Sequence, residues 1–190
     1  MGSTPLPFLI KKDMACVLTS GRTEPCKDSQ GGVSKIILMD YAETNFTVSG
    51  GQATAIDAGI TEVFEYTTRA NNNTFTESVV SDKNTGTTVN TQTLEVRLKK
   101  QTYQSAAELM LVVHARPIIV VVGNDGSYKA MGITEGCDVT ASSIQSGGAR
   151  ADFNGYDLTF TAEEVVMAPH LDSSTVTALE ALVSATNVAP

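Results

Sequence analysis

The chain has no tryptophan, two histidines and three cysteines among its 190 residues. A structural zinc site needs four nitrogen or sulfur ligands, usually with two of them close together. Cys16, Cys26 and Cys137 do not have that spacing, and neither do His114 and His170. Catalysis by a thiolate needs a base beside the thiol, and no local signature of a cysteine hydrolase is present. We therefore expect small packed thiols, no metal and no cofactor.

The sequence has adjacent acidic residues and adjacent glycines, but their surroundings do not indicate a catalytic or phosphate-binding site. Glu163 and Glu164 adjoin a predicted strand, where neighbouring side chains face opposite sides and do not readily share a substrate. The glycine pairs, such as Gly31-Gly32, are not followed by the Lys-Ser/Thr of a phosphate-binding loop. The sequence therefore predicts a protein that is not an enzyme.

Basic residues are also scarce, with 13 Lys and Arg against 21 Asp and Glu and a net charge of −8. Tight binding to a phosphate backbone needs clustered cations, whereas the adjacent basic pairs here are Lys11-Lys12 and Lys99-Lys100. No apolar run approaches the roughly 20 residues of a membrane-spanning helix, and no signal-peptide pattern opens the chain. We expect a protein made in a cytoplasm, without a membrane anchor.

The sequence does contain several segments with the alternating pattern of β-strands. The length of the chain suits one domain. We expect residues 1–33, with their prolines and glycines, to be an N-terminal arm or set of loops. Residues 34–170 are expected to form a β domain. Residues 171–190 are small and polar with a weak helical pattern, and we expect a mobile or partner-docking C-terminal tail.

The clearest strand signals lie in the second half of the chain. The apolar run Ile118–Val122, the turn residues Gly123-Asn124-Asp125-Gly126 and the returning Tyr128–Ile133 predict a β-hairpin. Further on, Asn154-Gly155 opens a strand in which apolar and polar side chains alternate. These segments are expected to form the structural framework of the fold, and they contain no obvious reactive group.

The stretch Val89–Lys99 alternates most strictly. Leu94, Val96 and Leu98 point one way, whereas a row of threonines and charged side chains points the other way. Such a strand is typical of an antiparallel sheet with one face in water. The polar segment Ser81–Thr88 before it is expected to be a loop between two projecting strands.

One helix is predicted after these strands. Ser105 and Glu108 have the spacing of a capping box, and Ala106, Leu109, Met110 and Val113 form an apolar stripe. Pro117 ends the helix. The order of elements indicates a mainly β fold with one packed helix, in an antiparallel sandwich or barrel.

This arrangement resembles the tail tube proteins of tailed bacteriophages and the tube-like ring proteins of crAss-like phage tails. The likeness covers roughly residues 15–170 and depends on the order of its parts. These are Ser20-Gly21-Arg22, Cys26–Val33, the strand pair around Ser81–Asn90, the capped helix, Asn124–Tyr128 and Asn154–Glu164.

The resemblance implies a virion structural protein that joins its sheets edge to edge into a ring, usually a hexamer, as part of a tail channel for the genome. Its partners are then other copies of itself, through ring closure and stacking, and other tail or neck proteins, with double-stranded DNA only as passing cargo. We expect a lumen-facing set of Thr91, Thr93, Glu95, Thr159 and Thr161. An inter-ring loop is expected at Asp82, Lys83, Asn84, Thr85 and Gly86.

Two other functions fit the same pattern. A neck, stopper or baseplate ring with this fold differs from a tube protein only in its partners. A carbohydrate-binding β-sandwich is the alternative from another class, although such modules usually carry aromatic platforms and this chain has no tryptophan.

Overall fold

The computed structural model describes residues 21–24, 26, 27, 30–68 and 72–186. The expected arm therefore lies largely outside the described residues, as does Cys16. The described elements are, in chain order, β1 (Val33–Met39), β2 (Phe46–Ser49), β3 (Gln52–Ile56), β4 (Phe64–Thr67), β5 (Thr74–Asp82), β6 (Thr87–Lys99), α1 (Tyr103–His114), β7 (Ile118–Gly123), β8 (Tyr128–Met131), β9 (Asp138–Gln145), β10 (Gly155–Glu164), β11 (His170–Leu171) and α2 (Ser173–Thr186).

Seven strands form the larger sheet, in the order β2-β3-β11-β8-β7-β1-β4. Its pairs are antiparallel except for the short parallel pair of β3 with β11. The predicted hairpin is confirmed as β7 and β8, which pair from Ile119↔Met131 to Val122↔Tyr128. At its turn Gly126 has φ 79°, and the Asp125 carboxylate accepts a hydrogen bond from the Ser127 amide at 3.0 Å.

The smaller sheet has four antiparallel strands, in the order β5-β6-β10-β9. The predicted Asn-Gly strand start is confirmed, because β10 begins at Gly155. Strands β6 and β10 pair over ten residue positions, from Lys99↔Gly155 to Asn90↔Glu164. Strands β5 and β9 form the two outer edges of this sheet.

Two apolar cores make the structure three layers thick. The first core lies between the sheets and joins side chains of both to helix α1: Ile36, Leu38, Ile119, Leu94, Phe160 and Leu109. The second lies on the opposite face of the larger sheet, where α2 packs: Ile37, Val120, Leu179 and Val183. Strand β7 is therefore covered on both faces, which explains its unbroken apolar run.

The C-terminal segment differs from the expected tail. Residues Ser173–Thr186 form helix α2, and Leu179 and Val183 on it are 0% and 4% exposed. Lys35 on β1 donates a hydrogen bond from Nζ to Glu180 Oε1 at 2.8 Å. Because the apolar face of the larger sheet needs a cover, even a weakly patterned helix packs there.

Helix α1 begins earlier than its predicted cap. Its N-cap is Thr102, whose side chain accepts a hydrogen bond from the Ser105 amide at 3.1 Å, so the capping box at Ser105 is wrong. Leu109 is buried as expected, but Met110 and Val113 are exposed. The predicted apolar stripe is therefore only partly covered by the rest of the described chain.

The expected loop before β6 is shorter than predicted. Strand β5 continues to Asp82 and β6 starts at Thr87, with Ser81 and Thr88 joined by their hydroxyls at 3.0 Å. Only Lys83–Gly86 form the turn. Threonine favours extended backbone, so a polar stretch rich in threonine pairs as strand here.

The mainly β fold is confirmed. The described strands form two packed sheets and no closed barrel, and two helices accompany them in place of the single expected helix.

Candidate assembly surface

The outer face of the four-stranded sheet carries every side chain that was predicted to face a lumen. The strand register places Thr93 beside Thr161 and Glu95 beside Thr159, and Thr91 lies beside Glu163. The threonines are half-buried and Glu95 is exposed. The sequence thus correctly placed these side chains on one face, because the side-chain period of a strand is two. We call this surface the threonine face.

Neighbouring strands extend the same chemistry. Thr140 on β9 lies 3.0 Å from Thr161, hydroxyl to hydroxyl, and Thr74 on β5 donates to Glu95 Oε2 at 3.3 Å. Strand β5 also contributes Thr76 and Ser78, which pair with Thr93 and Thr91. Short hydroxyl side chains therefore cover all four strands.

One ion pair lies at the end of the threonine face. Arg97 donates from Nε and a terminal nitrogen to the two oxygens of Asp157, at 2.6 and 3.0 Å. The hydrogen bond with Asp157 raises the pKa of Arg97. The guanidinium also lies 4.5 Å from the centre of the Phe153 ring, so this aromatic face is already occupied. The group is a structural clamp at the surface.

Acidic side chains outnumber basic ones on this face. The acids are Glu95, Asp138, Asp157 and Glu163, and the bases are Arg97 and Lys99. Two of these charges neutralise each other in the Arg97–Asp157 pair. The remaining excess of carboxylates repels a phosphate backbone at close range, within a screening length of about 8 Å.

The predicted inter-ring loop forms the tip of a projecting hairpin. The Asp82 carboxylate accepts from the Asn84 amide at 2.7 Å, and Gly86, with φ 68°, donates its amide to Asp82 O at 2.9 Å. Residues 78–89 are all exposed. The hairpin therefore extends beyond the two cores as a closed, ordered turn with Lys83 and Thr85 near its end.

Both edges of the four-stranded sheet are open in the described chain. Strand β9 pairs on one side with β10, and β5 pairs on one side with β6. Nearly all residues of both edge strands are exposed. Unpaired edges offer a row of backbone donors and acceptors to another strand.

Sequence reasoning missed a buried polar group on the core side of β6. Asn90 donates from Nδ2 to Val165 O at 2.8 Å, and Gln92 accepts the Gly132 amide at 3.1 Å. Glu164 accepts the Thr134 amide at 2.8 Å. Asn90 thus holds the chain after β10 against the sheet, and Gln92 and Glu164 hold the segment that follows β8. The available signal was the position of Asn90 and Gln92 among the even-numbered residues of β6, where polar side chains interrupt the apolar face.

The structure also gives the positions of two cysteines and of the two helices. Cys137 is buried and Cys26 is exposed. Within the described residues, no three His, Cys, Asp or Glu side chains converge in a way that could hold a metal ion. Neither helix in the described ranges combines the length and apolar character needed to cross a bilayer.

Comparison with protein-family models, curated proteins and solved structures finds no match to this chain.

Proposed function

We propose that this chain is a virion structural protein that assembles into a ring, most simply a hexamer, and that the ring forms part of a phage tail channel. The observation that carries the proposal is the four-stranded sheet, which has a polar threonine face and two open antiparallel edges. The resemblance to tail tube proteins agrees with this reading.

Ring closure is supported by the direction of the edge strands. Successive strands β5, β6, β10 and β9 alternate in direction, so β5 and β9 run in opposite directions. When β9 of one copy pairs with β5 of the next, the shared sheet continues as antiparallel. Such a head-to-tail contact closes into a ring when the rotation between copies divides a full turn.

The chemistry of the threonine face suits a wall along which DNA passes. Hydroxyls keep the surface hydrated, and the excess of carboxylates disfavours lasting contacts with phosphates. Thr91, Thr93, Glu95, Thr159 and Thr161 are the proposed lumen residues. Lasting adhesion of DNA to this face would need clustered cations. Arg97 on this face is instead paired with Asp157.

Electron microscopy of purified protein by negative stain tests the assembly directly. We expect rings or short tubes. A particle that remains a monomer at high concentration, in sedimentation as well as in images, refutes the proposed function.

The lumen assignment is tested by charge. The double variant Thr91→Lys and Thr159→Lys should still form rings, because both side chains lie on the outer face, but genome ejection from phage carrying it should slow. Thr91→Gln with Thr159→Gln is the matched control without charge. Ejection at the control rate in the lysine variant contradicts the assignment.

Stacking of rings is assigned to the projecting hairpin. Val80 and Val89 face each other across it, so replacing residues 81–88 by Asn-Gly gives a two-residue turn between paired positions. We expect single rings without tubes from this variant. Normal tubes from the shortened form reject the assignment.

A neck, stopper or baseplate ring remains the alternative within the same class, and co-purification with other tail proteins separates these positions. The carbohydrate-binding alternative has little support on the threonine face, where the ring of Phe153 is covered by Arg97. Binding to a glycan array would favour it.

A further inference from the structure

One side of helix α1 is apolar and exposed. Tyr103, Met110 and Val113 are 89%, 66% and 41% exposed. At about 100° per residue, Met110 and Tyr103 lie on one side of the buried Leu109, whereas Glu108 and Leu111 lie on the other. The helix therefore has two distinct flanks.

The flank with Glu108 and Leu111 faces the larger sheet. These residues line a cleft of about 220 Å³ together with Phe64 and Tyr66 of strand β4. The flank with Met110 and Tyr103 is consequently turned away from β4.

Helix α1 also lies beside strand β9. At one end Gln101 donates from Nε2 to Gln145 O at 2.8 Å, and at the other the Cys137 amide donates to Pro117 O at 2.9 Å. Since 101 and 117 bracket the helix and 145 and 137 bracket the strand, α1 runs antiparallel to β9 beside it. The helix therefore accompanies the open edge over its whole length.

The strand adds an apolar side chain on the same side. Ile144 pairs with Tyr156, whose hydroxyl donates to Thr102 O at 3.4 Å, so both side chains are on the helix side of the sheet. Ile144 is exposed. We call Tyr103, Met110, Val113 and Ile144 the α1 flank.

We propose that the α1 flank is a docking surface for strand β5 of a second copy, an inference that rests on the proposed ring. A strand added to β9 lies about 4.8 Å from it and turns alternate side chains toward α1. For β5 these are Phe75, Glu77 and Val79, because they share a face with the core-side residues of β6. Val79 is 52% exposed.

The match between β5 and the α1 flank extends to both faces of the sheet. On the helix side, Val79 meets the apolar side chains of the α1 flank, whereas Phe75 already packs on the first core of its own copy. On the outer side, Thr76 and Ser78 of β5 meet Thr140 of β9, which continues the threonine face. The strands are also of similar length, with nine residues in β5 and eight in β9. Each copy carries both halves of this contact on opposite edges, which makes a second copy the fitting occupant.

The test compares two helix positions with equal exposure. Met110 and Leu111 are both 66% exposed, but Met110 belongs to the α1 flank, whereas Leu111, about 100° further round the helix, lines the cleft beside β4. We expect Met110→Glu to weaken self-association by about tenfold or more, because a charge is then buried without a partner in the contact. Leu111→Glu should remain within about twofold of the unaltered chain, as its flank faces β4. Tyr103→Ser is a second variant on the first flank, and it should weaken association as well.

Sedimentation velocity over a concentration series measures association, and circular dichroism verifies that each variant is folded. An unaltered chain that never associates refutes the ring and the docking surface together. An unaltered chain that assembles while Met110→Glu and Tyr103→Ser assemble equally well refutes only the docking surface. Greater sensitivity at Leu111 than at Met110 also overturns it, because the contact is then on the other flank.

Discussion

Helix α2 gives a sharp test of the structure through Leu179→Ala. Leu179 is fully buried in the second core, and the helix is fixed on both sides of it. Near its start the Asp172 amide donates to Ala53 O of β3 at 2.9 Å, and further along Lys35 donates to Glu180 at 2.8 Å. These anchors limit how far the helix can move to fill a cavity.

The expected loss follows from that constraint. Buried Leu→Ala changes cost about 2–5 kcal/mol, with the larger values where the site does not collapse. We expect about 3–4 kcal/mol for Leu179→Ala. Alanine is a strong helix former, so the loss reports packing and not helix propensity. For a chain of this size it corresponds to a fall in Tm of roughly 10 °C.

Urea unfolding followed by circular dichroism, at protein concentrations where the chain is monomeric, measures this free energy. Leu111→Ala is the matched control, because the same side chain is removed from an exposed helix position and should cost about 0.5 kcal/mol or less. A loss for Leu179→Ala as small as that of the control would show that residues 173–186 do not pack on the sheet.

Two further predictions concern titratable groups. Partial burial by itself raises the pKa of Glu180, but hydrogen bonds from Lys35 and Tyr128 and the charge of Lys35 outweigh it and hold the pKa below its ordinary value of 4.5. A lowered carboxyl pKa stabilises the fold above pH 4.5, and this contribution is lost as the pH falls through the folded-state value. The difference in unfolding free energy between the unaltered chain and Glu180→Gln should therefore shrink below about pH 4.5. Urea titrations measure it, and a difference that does not change with pH contradicts the ion pair. Burial also raises the pKa of the Cys137 thiol, so iodoacetamide on the native protein should label Cys26 and spare Cys137. Peptide mapping checks this, and equal labelling of Cys137 before and after unfolding disagrees with its buried position.

The parts of the fold that the sequence predicted well are those with strong local patterns. The hairpin of β7 and β8 combines an apolar run with turn residues, and the alternation in β6 and β10 fixed which side chains share the threonine face. In both cases local geometry and burial agree, so short-range reasoning was enough.

The wrong predictions concern segments whose structure is determined by tertiary contacts. Helix α2 has a weak pattern, yet it covers the open face of the larger sheet. Thr102 takes the cap from Ser105 because α1 begins earlier, and the polar stretch after Ser81 pairs as strand through cross-strand contacts. The exposed side of Met110 was not predictable, since a stripe at helical spacing does not say which of its residues a neighbour covers.

Alternation along β6 and β10 has an evolutionary consequence. Even-numbered positions such as Leu94, Leu158 and Phe160 maintain folding, whereas the odd-numbered positions between them touch solvent. Substitutions at the odd positions are free to diversify the chemistry of one surface while the interior stays intact. The same backbone can thus carry different chemical groups on this one surface.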